Sequence, residues 1–346
     1  MLRYILAFIT AFVLTCAFTP FAKKLAYKIK AIDVPKDERR VHKQPVPLLG
    51  GLSIYLSFMM GAIIFAHKNP HIIGLLIGST IIMLVGIIDD KYELNPVAKL
   101  IGQIMAAIVV IMYGMTIKVV SNPFGESFNL GLWAYPVTLI WIVAITNTLN
   151  LIDGLDGLAA GVSGIASLSL FIVSILNHRD LAAILTIVLA GSSLGFLPFN
   201  FNPAKIFMGD TGALLLGFIL SVISVEGAIK GAAAIAIVVP VLVLGLPIFD
   251  MVVSIIRRSI NGMPIMQADK GHIHHRLLAM GMSQRRAVIY MYIMCVVLGI
   301  SAIVVSAAST LTGIFVVLAV ILMAFIAAKH MNLMSTNNNR YRGITR

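Results

Sequence analysis

The chain has 346 residues, of which 59% are hydrophobic and 12% are charged, and its formal net charge is +12. Soluble globular domains contain about 25% charged residues, so this composition excludes a disordered chain and argues against a soluble enzyme. The two cysteines, Cys16 and Cys295, both lie in long apolar runs, which argues against a disulfide framework. The composition therefore predicts an all-α fold, in the form of a polytopic integral membrane protein.

About eleven segments of the sequence are long and apolar enough to cross a bilayer, which needs about 20 such residues per helix. In chain order, the segments are residues 4–22, 48–66, 71–88, 98–117, 132–150, 158–176, 181–198, 211–226, 231–254, 287–307 and 311–328. No fixed-period repeat and no low-complexity linker separates them. The sequence therefore predicts one transmembrane domain over residues 1–330 and a polar, basic tail over residues 331–346.

The first segment could be taken for a secretory signal because of its position. A signal carries its basic residues before the apolar run, whereas only Arg3 precedes this segment and several lysines follow it. We therefore interpret it as a retained helix.

The distribution of basic residues predicts the orientation of the chain in the membrane. If the N-terminus lies outside, 21 of the 26 lysines and arginines fall in the inside loops, at their edges or in the tail. The other five are Arg3, Lys68, Lys118, Arg179 and Lys230. Because cytoplasmic loops are enriched in basic residues, we predict an outside N-terminus and a cytoplasmic C-terminus. The enrichment of basic residues in the cytoplasmic loops accounts for most of the net charge of the chain, so we expect no nucleic-acid partner.

Two adjacent carboxylates, Asp89 and Asp90, end the third predicted segment. They are electrostatically unfavourable there, because the C-terminal end of a helix already carries partial negative charge. A bound divalent cation would reverse that penalty. The alternative is a solvated pair that Lys91 neutralises.

Polar residues recur every third position at the end of the fifth segment, in NTLNLIDGLDGLAAG. On an unbroken helix, the four residues from Asn147 to Asp156 would spread over about half the circumference and would not share one narrow face. Gly154 and Gly157 predict that the helix ends here and that the backbone turns toward a ligand. So many polar groups at the end of a membrane span favour a substrate site over simple helix capping.

The sequence FNPAKIFMGDTG predicts a loop followed by the start of the eighth helix. Asp210 or Thr211 could cap that helix, and a helix N-terminus also favours phosphate binding. Phe207 could stack on a base, although an aromatic residue at this depth is also a common membrane-interface anchor.

The largest inside loop contains His272, His274, His275 and Arg276. A zinc site would need three or four nitrogen or sulfur ligands, and no cysteine lies nearby. We therefore interpret these side chains as donors to phosphate oxygens, with a basic loop on anionic lipid as the alternative. Lys43, in the first inside loop, has the same two interpretations.

Carboxylates, imidazoles and a phosphate-binding helix start, all on one membrane face, are typical of Mg²⁺-assisted phosphoryl transfer. A membrane location implies that one reactant is a lipid. Five motifs in order, HKQPVPLLGG, DDKYELNP, NTLNLIDGLDGLAAG, FNPAKIFMGDTG and DKGHIHHRL, make nearly the whole chain resemble the polyprenyl-phosphate N-acetylhexosamine-1-phosphate transferases. The HIHH sequence, in place of consecutive histidines, and the PVPLLGG form are more similar to the TagO/WecA branch than to the peptide-carrying branch.

The resemblance implies transfer of GlcNAc-1-phosphate from UDP-GlcNAc to undecaprenyl phosphate, with release of UMP, on the cytoplasmic face of a bacterial plasma membrane. It implies Mg²⁺ as the cofactor, with Mn²⁺ as the alternative, and leaves a homodimer open. The product would start wall teichoic acid, O-antigen or a related polymer. A UDP-MurNAc-pentapeptide phosphotransferase is the alternative within the family. A lipid-linked-sugar transporter, from another class, would place its ionisable groups near the bilayer midplane.

The resemblance also implies roles for individual residues. Asp210 is the expected Mg²⁺ ligand, and Asp90 is expected to add contacts to the metal or phosphate. Asp89 matches the proposed acid–base residue, but we expect a positioning role, because a phosphate monoester with a second pKa near 6 is already mostly dianionic at pH 7. The expected catalytic residues are Asp89, Asp90, Asp153 and Asp156. The expected substrate-binding residues are Asn150, Asp156 and Phe207 for the nucleotide, and Lys43, Lys99, His272, His274, His275 and Arg276 for the phosphates.

The predicted topology can be tested by labelling. The loop at residues 151–157 and the histidine-containing loop should both face the cytoplasm. Ser283→Cys, in the latter loop, should resist membrane-impermeant thiol reagents in intact cells and react once the membrane is permeabilised. Ser309→Cys, in a loop assigned to the outside, is the matched control and should react in intact cells. Ready labelling of Ser283→Cys without permeabilisation would contradict a cytoplasmic site.

Overall fold

The computed structural model describes residues 1–34, 45–67, 69–120, 128–228, 237–262, 271–331 and 333, which form an almost entirely helical bundle. The helices are α1 (Leu2–Ile29), α2 (Gly50–Ala66), α3 (His71–Tyr92), α4 (Pro96–Met112), α5 (Ala134–Ile152), α6 (Leu158–Leu176), α7 (Asp180–Asn200), α8 (Gly209–Ala228), α9 (Val238–Val243), α10 (Gly245–Ile260), α11 (Ile273–Ala279), α12 (Gln284–Ala307) and α13 (Thr310–His330). Two small antiparallel sheets pair β1 (Ile32–Asp33) with β2 (Val46–Pro47) and β3 (Val119–Val120) with β4 (Phe128–Asn129). A 3₁₀ turn spans Gly131–Trp133.

Eight of the described helices are long and apolar enough to cross a membrane, namely α1, α3, α5, α6, α7, α8, α12 and α13. α2 and α4 are shorter apolar helices. These ten helices correspond one by one to ten of the segments predicted from the sequence. The predicted all-α fold class is therefore confirmed.

The ninth predicted segment, residues 231–254, does not form one straight helix. In its described part, α9 and α10 are separated at Leu244. Pro247 has no backbone N–H to donate to the carbonyl of Val243, so the helical hydrogen-bond ladder is interrupted at this point. The assignment of this segment from the sequence did not include the break, because a hydropathy average does not register a proline within an apolar run.

α8 is the most buried of the eight long helices and packs against α2, α3 and α5. Glycines allow the close approach of these neighbours. A Cβ on Gly51 of α2 would lie 2.1 Å from the backbone nitrogen of Gly212, and one on Gly86 of α3 would lie 2.4 Å from the Cα of Thr211. Small residues at such interfaces let helix backbones approach closely within membranes. They bring the end of α3 next to the start of α8.

α1 packs along α7 and α2, and side-chain hydroxyls connect the three helices. The Oγ1 of Thr15 lies 2.5 Å from the Oγ of Ser57, which donates to the Oγ of Ser192 at 3.0 Å. One turn further along, Thr19 donates to Ser53 at 3.1 Å. Hydrogen bonds between helices stabilise their association in a membrane, where water does not compete for the same groups.

Polar contacts mark the two ends of the bundle. Nδ1 of His71, at the start of α3, lies 3.0 Å from Oε2 of Glu226, near the end of α8. About 20–30 Å of helix separates this pair from the opposite ends of the same two helices, where Asp90 contacts Thr211. We call this second end, which holds the five aspartates singled out in the sequence, the acidic end.

Candidate active site

Asp90 joins the end of α3 to the start of α8. Its carboxylate accepts hydrogen bonds from the backbone N–H of Asp210 at 2.7 Å, from that of Thr211 at 3.1 Å and from the Thr211 hydroxyl at 2.5 Å. Gly209 has a φ of +70°, and a Cβ there would lie 2.4 Å from an Asp90 oxygen. The carboxylate of Asp90 is unfavourably placed at the C-terminal end of α3, which already carries partial negative charge. The N-terminal end of α8 stabilises negative charge and therefore offsets this cost.

Lys99, in the first turn of α4, lies between two carboxylates. Its Nζ forms ion pairs with Asp89 and with Asp210, the latter at 2.6 Å. Asp89 is 4% exposed and also accepts the backbone N–H of Leu94 at 2.7 Å. Asn150 of α5 donates to the second oxygen of Asp210 at 2.9 Å. One polar network therefore connects α3, α4, α5 and α8.

Asp153 and Asp156 lie in the turn between α5 and α6, which we call the aspartate loop (residues 153–157). α5 ends one residue before Asp153, and Gly157 has a φ of +80°, so the glycine-based prediction of a helix end is confirmed. Burial, followed by the negative charges of Asp210, Asp90 and Asp156, raises the pKa of Asp153 to about 8. A divalent cation nearby would reverse this effect and keep the carboxylate ionised.

Side chains from later in the chain orient the aspartate loop. The carboxylate of Asp156 accepts hydrogen bonds from the Nδ2 of Asn202 at 2.9 Å and from the backbone N–H of Ala204 at 3.0 Å. The same Asn202 amide donates to the Oε1 of Gln284, at the start of α12, at 2.7 Å. The direction of Asp156 is therefore set by protein contacts before any ligand arrives.

Two adjoining cavities lie at the acidic end. The first has a volume of about 320 Å³ and is lined by the aspartate loop, Asp90 and Asp210. Phe207, His275 and Gln284 contribute to its wall. An aromatic ring beside several carboxylates suits a base that carries phosphates, if a cation links the phosphates to the carboxylates.

The second cavity, of about 450 Å³, is lined by Lys30, Lys91 and Lys99 alongside acidic residues. It shares Asp33, Asp90 and Asp210 with the first cavity. These three carboxylates therefore lie at the junction between a cavity lined by lysines as well as acids and a cavity that can hold a nucleotide. Phosphoryl transfer between two anionic substrates requires this kind of meeting point, because its catalysis is mostly positioning and charge compensation.

The residues at the junction fit Mg²⁺ held jointly with a substrate. Among the described residues, no group of three His, Cys, Asp or Glu side chains is arranged to hold a metal ion. Mg²⁺ is usually bound by one or two carboxylates, with substrate phosphates and water filling its octahedral shell. Asp210 and Asp90 provide two carboxylates at the point where the cavities meet, and the raised pKa of Asp153 indicates unbalanced negative charge beside them.

The histidines predicted to contact phosphate occupy different environments. His275 lines the first cavity. His272 is buried, with its Nδ1 2.9 Å from the Oδ2 of Asp250. His274 is 2% exposed, and a Cβ on Gly154 would lie 2.3 Å from its Nε2. Burial, and to a lesser degree the neighbouring His275, lowers the pKa of His274 to about 3. His274 is therefore uncharged at neutral pH, and its predicted contact with phosphate stays a prediction.

The other predicted residues are placed as follows. Lys99 and Asn150 belong to the polar network, and Phe207 lines the first cavity. Arg276 is buried within α11, at 7% exposure. Lys43 lies outside the described residues. The phosphate contacts expected of Arg276 and Lys43 stay predictions.

The sequence indicated Asn147 as part of the polar motif at the end of the fifth segment, but it did not single out four other amide side chains that organise this end of the bundle, Gln103, Asn200, Asn202 and Gln284. Gln103 of α4 and Asn147 of α5 exchange amide hydrogen bonds of 3.2 and 2.6 Å. A polar residue inside an apolar run indicates a functional position in a membrane helix, and Gln103 is such a residue. Asn200 and Asn202 lie in the FNFNP sequence, at the end of an apolar segment, where the same signal was present. Gln284 follows a loop on a much later segment, and only the fold brings it to the site.

Comparisons with known proteins agree with this geometry. Residues 72–228 match the profile of Glycosyl transferase family 4. Over its whole length, the chain is 40% identical to the probable undecaprenyl-phosphate N-acetylglucosaminyl 1-phosphate transferase of Bacillus subtilis, of which it covers 96%. Over 82% of its length, it is 35% identical to the decaprenyl-phosphate N-acetylglucosaminephosphotransferase of Mycolicibacterium smegmatis, of which it covers 78%. Over 81%, it is 28% identical to the undecaprenyl-phosphate alpha-N-acetylglucosaminyl 1-phosphate transferase of Escherichia coli K12, of which it covers 77%.

The polar network predicts that the acidic end loses stability when its lysine is removed. We expect Lys99→Met to lower the free energy of unfolding by about 1–3 kcal/mol, because Asp89 and Asp210 lose the partner that compensates their burial. Denaturant unfolding of the detergent-purified protein measures this, with Lys118→Met, at an exposed lysine, as the matched control. Adding Asp89→Asn to Lys99→Met should restore part of the loss. Strictly additive losses would show that the two side chains are not coupled.

Proposed function

This chain belongs to glycosyl transferase family 4, and we infer that it is a polyprenyl-phosphate N-acetylglucosamine-1-phosphate transferase. It is a multi-pass membrane protein of the bacterial type and transfers GlcNAc-1-phosphate from UDP-GlcNAc, in the first lipid-linked step of cell-surface polymer synthesis. Similarity along the entire chain is the observation that carries this conclusion. The meeting of two cavities at Asp90 and Asp210 supports it independently.

We propose undecaprenyl phosphate as the acceptor and the cytoplasmic face of the membrane as the location of the reaction. The loops at the acidic end are the ones to which the distribution of lysine and arginine assigns the cytoplasmic side. A soluble nucleotide sugar is available on that side. The product, undecaprenyl-diphospho-GlcNAc, is then the starting unit of wall teichoic acid, O-antigen or a related polymer.

The first cavity suits the nucleotide sugar. Phe207 offers a ring on which uracil can stack. Asp153 and Asp156 face the same space and hold the nucleotide and the metal region, and Asn150 fixes Asp210 beside them. His275 is the imidazole of its segment that can donate to a phosphate in this cavity.

The second cavity suits the phosphate of the lipid acceptor, which Lys30, Lys91 and Lys99 would hold while the prenyl chain stays in the bilayer. An oxygen of the acceptor phosphate attacks the phosphorus that carries GlcNAc, in line with the bond to UMP. A new phosphorus–oxygen bond forms, the bond between that phosphorus and the bridging oxygen breaks, and UMP leaves with the electron pair. The acceptor is mostly dianionic at pH 7, so no proton has to be removed first.

Asp210 and Asp90 are the residues that would hold Mg²⁺. When bound, the ion neutralises charge on the diphosphate and stabilises the charge that develops in the transition state. Lys99 and Asn150 each bind one oxygen of Asp210 and so fix the direction of its carboxylate.

Asp89 is best explained as a positioning residue. It is buried, it accepts a backbone N–H, and it forms an ion pair with Lys99, which also binds Asp210. A carboxylate engaged in this way holds the lysine at the second cavity. These contacts favour a role in arranging charge over a role as the base that deprotonates the acceptor.

The proposed function is tested with purified protein, undecaprenyl phosphate, Mg²⁺ and a panel of nucleotide sugars, by measuring the release of UMP. We expect release with UDP-GlcNAc. Release with UDP-MurNAc-pentapeptide but not with UDP-GlcNAc would assign the chain to the peptidoglycan branch. Absence of UMP, together with movement of a lipid-linked sugar across vesicles, would identify a transporter instead.

Removing the charge of Asp210 tests its role as a metal ligand. Asp210→Asn keeps the shape of the side chain and should lower Mg²⁺-dependent kcat by on the order of 10³-fold, with little change in the unfolding temperature. Asp180→Asn is the matched control, because it removes a carboxylate that pairs with Arg3 at the opposite end of the bundle. Near-normal turnover by Asp210→Asn would reduce Asp210 to a structural residue at the start of α8.

The pH dependence of Asp89→Asn separates base catalysis from positioning. General-base assistance typically contributes about 10²–10⁴-fold. If Asp89 were the base, the variant would recover activity between pH 6.5 and pH 8.5, as more acceptor becomes dianionic and needs no base. We expect the loss, relative to the unsubstituted protein, to stay constant over that range. We also expect a change in the concentration of Mg²⁺ or of acceptor that the variant requires for activity. A pH-dependent recovery with unchanged requirements would establish Asp89 as the base.

A further inference from the structure

A carboxylate outside both cavities holds the segment that carries the histidines, which we call the histidine segment (residues 271–276). Asp250, on α10, is 4% exposed. Its Oδ2 lies 2.9 Å from the Nδ1 of His272, and its Oδ1 accepts the backbone N–H of Ile273 at 2.9 Å. Both oxygens of one buried carboxylate therefore bind consecutive residues of the segment.

A second side chain of α10 fixes the residue just before His272. The Nη1 of Arg257 donates to the carbonyl of Gly271 at 3.0 Å and to the carbonyl of Leu333 at 2.8 Å. A Cβ on Gly271 would lie 2.2 Å from an Arg257 nitrogen, so the backbone passes directly against the guanidinium. α10 thus holds the start of the histidine segment at two neighbouring points.

The histidine segment in turn packs against the aspartate loop. The rings of His272 and His274 are parallel, with centroids 5.9 Å apart, and those of His274 and His275 are 4.2 Å apart. His274 fills the space beside Gly154, which lies between the two aspartates of the loop. His275, the last ring of the stack, lines the first cavity. A continuous series of contacts therefore leads from Asp250 to the wall of the nucleotide-binding side.

We propose that Asp250 is a positioning residue for the transfer reaction, which acts through His272 to hold the histidine stack against the aspartate loop. The proposal rests on the function proposed above and adds a residue that neither cavity contains. A carboxylate bonded to Nδ1 fixes both the tautomer and the direction of an imidazole. For histidines that bind metals, loss of such a partner typically costs about 10- to 100-fold in metal affinity or activity, and we expect a loss of the same order here.

Asp250→Asn is the first test. The asparagine keeps the volume of the side chain, but its Nδ2 can only donate. If its oxygen keeps the bond to the N–H of Ile273, the contact with His272 requires Nδ1 to accept, so the tautomer that the aspartate fixes is lost. We expect kcat/KM for UDP-GlcNAc to fall about 10- to 100-fold, chiefly through KM, while KM for undecaprenyl phosphate stays unchanged. Asp180→Asn, at the opposite end of the bundle, is the matched control and should behave as the unsubstituted protein. Equal losses for both substrates, or no loss, would contradict the proposal.

Two substitutions of His272 give a test that does not depend on the folding of Asp250→Asn. The Nδ2 of the asparagine in His272→Asn can take the position of Nδ1 and donate to Asp250, whereas the amide in His272→Gln reaches the position of Nε2. We expect His272→Asn to retain about tenfold more kcat/KM than His272→Gln. Asp250→Asn should add no further loss to His272→Gln, because the two residues act as one unit. Higher activity of His272→Gln would overturn the proposal.

Failure of the proposed function gives a different result from failure of this inference. An unsubstituted protein that releases no UMP from UDP-GlcNAc would contradict the function itself. Normal release by the unsubstituted protein, with unchanged kinetic constants in Asp250→Asn and equal activities of the two His272 variants, would leave the function standing and remove Asp250 from it.

Discussion

Compensation of negative charge at the acidic end is the constraint on which the rest of the site depends. Carboxylates withdrawn from water are costly unless a partner balances them. The start of α8 balances Asp90, and Lys99 balances Asp89 and Asp210. Each partner comes from a helix other than the one that carries its carboxylate. The site therefore exists only when α3, α4 and α8 are packed together, and helix packing and site geometry are one problem.

The same arrangement explains how two anionic substrates can meet. The negative charge of Asp153 is compensated less than that of Asp89, and Asp153 and Asp156 line the cavity beside Phe207. Lysines line the other cavity. The three lysines offset part of the acidic charge around the second cavity, whereas the described lining of the first cavity contains no lysine or arginine, and Asp210 lies between the two. This difference in local charge between the two cavities orients the donor and the acceptor. It does not require a metal site built from protein ligands alone.

Local patterns in the sequence were sufficient to predict the apolar segments, the helix end at the aspartate loop and the convergence of five aspartates. Each of these depends on hydrophobic length or on glycines and acids that are near one another in the chain. The break near Pro247 was missed because mean hydropathy is insensitive to one imino acid. The pairing of Asp250 with His272 joins an apolar helix to a polar loop and needs the folded bundle. The burial of His274 could not be predicted either, because it depends on contact with Gly154 from a distant segment.

The position of α1 between α2 and α7 has a consequence for how the protein is made. α1 leaves the ribosome before α2, whereas α7 begins only at Asp180. At about 5–20 residues per second, synthesis of the chain between α1 and α7 takes about 8 to 30 seconds. During that interval, Thr15 and Thr19 can already bond to Ser57 and Ser53 of α2, so the first two helices can be inserted as a pair. Ser192 then completes the series of hydroxyl contacts when α7 is inserted, so α1 acquires this neighbour late.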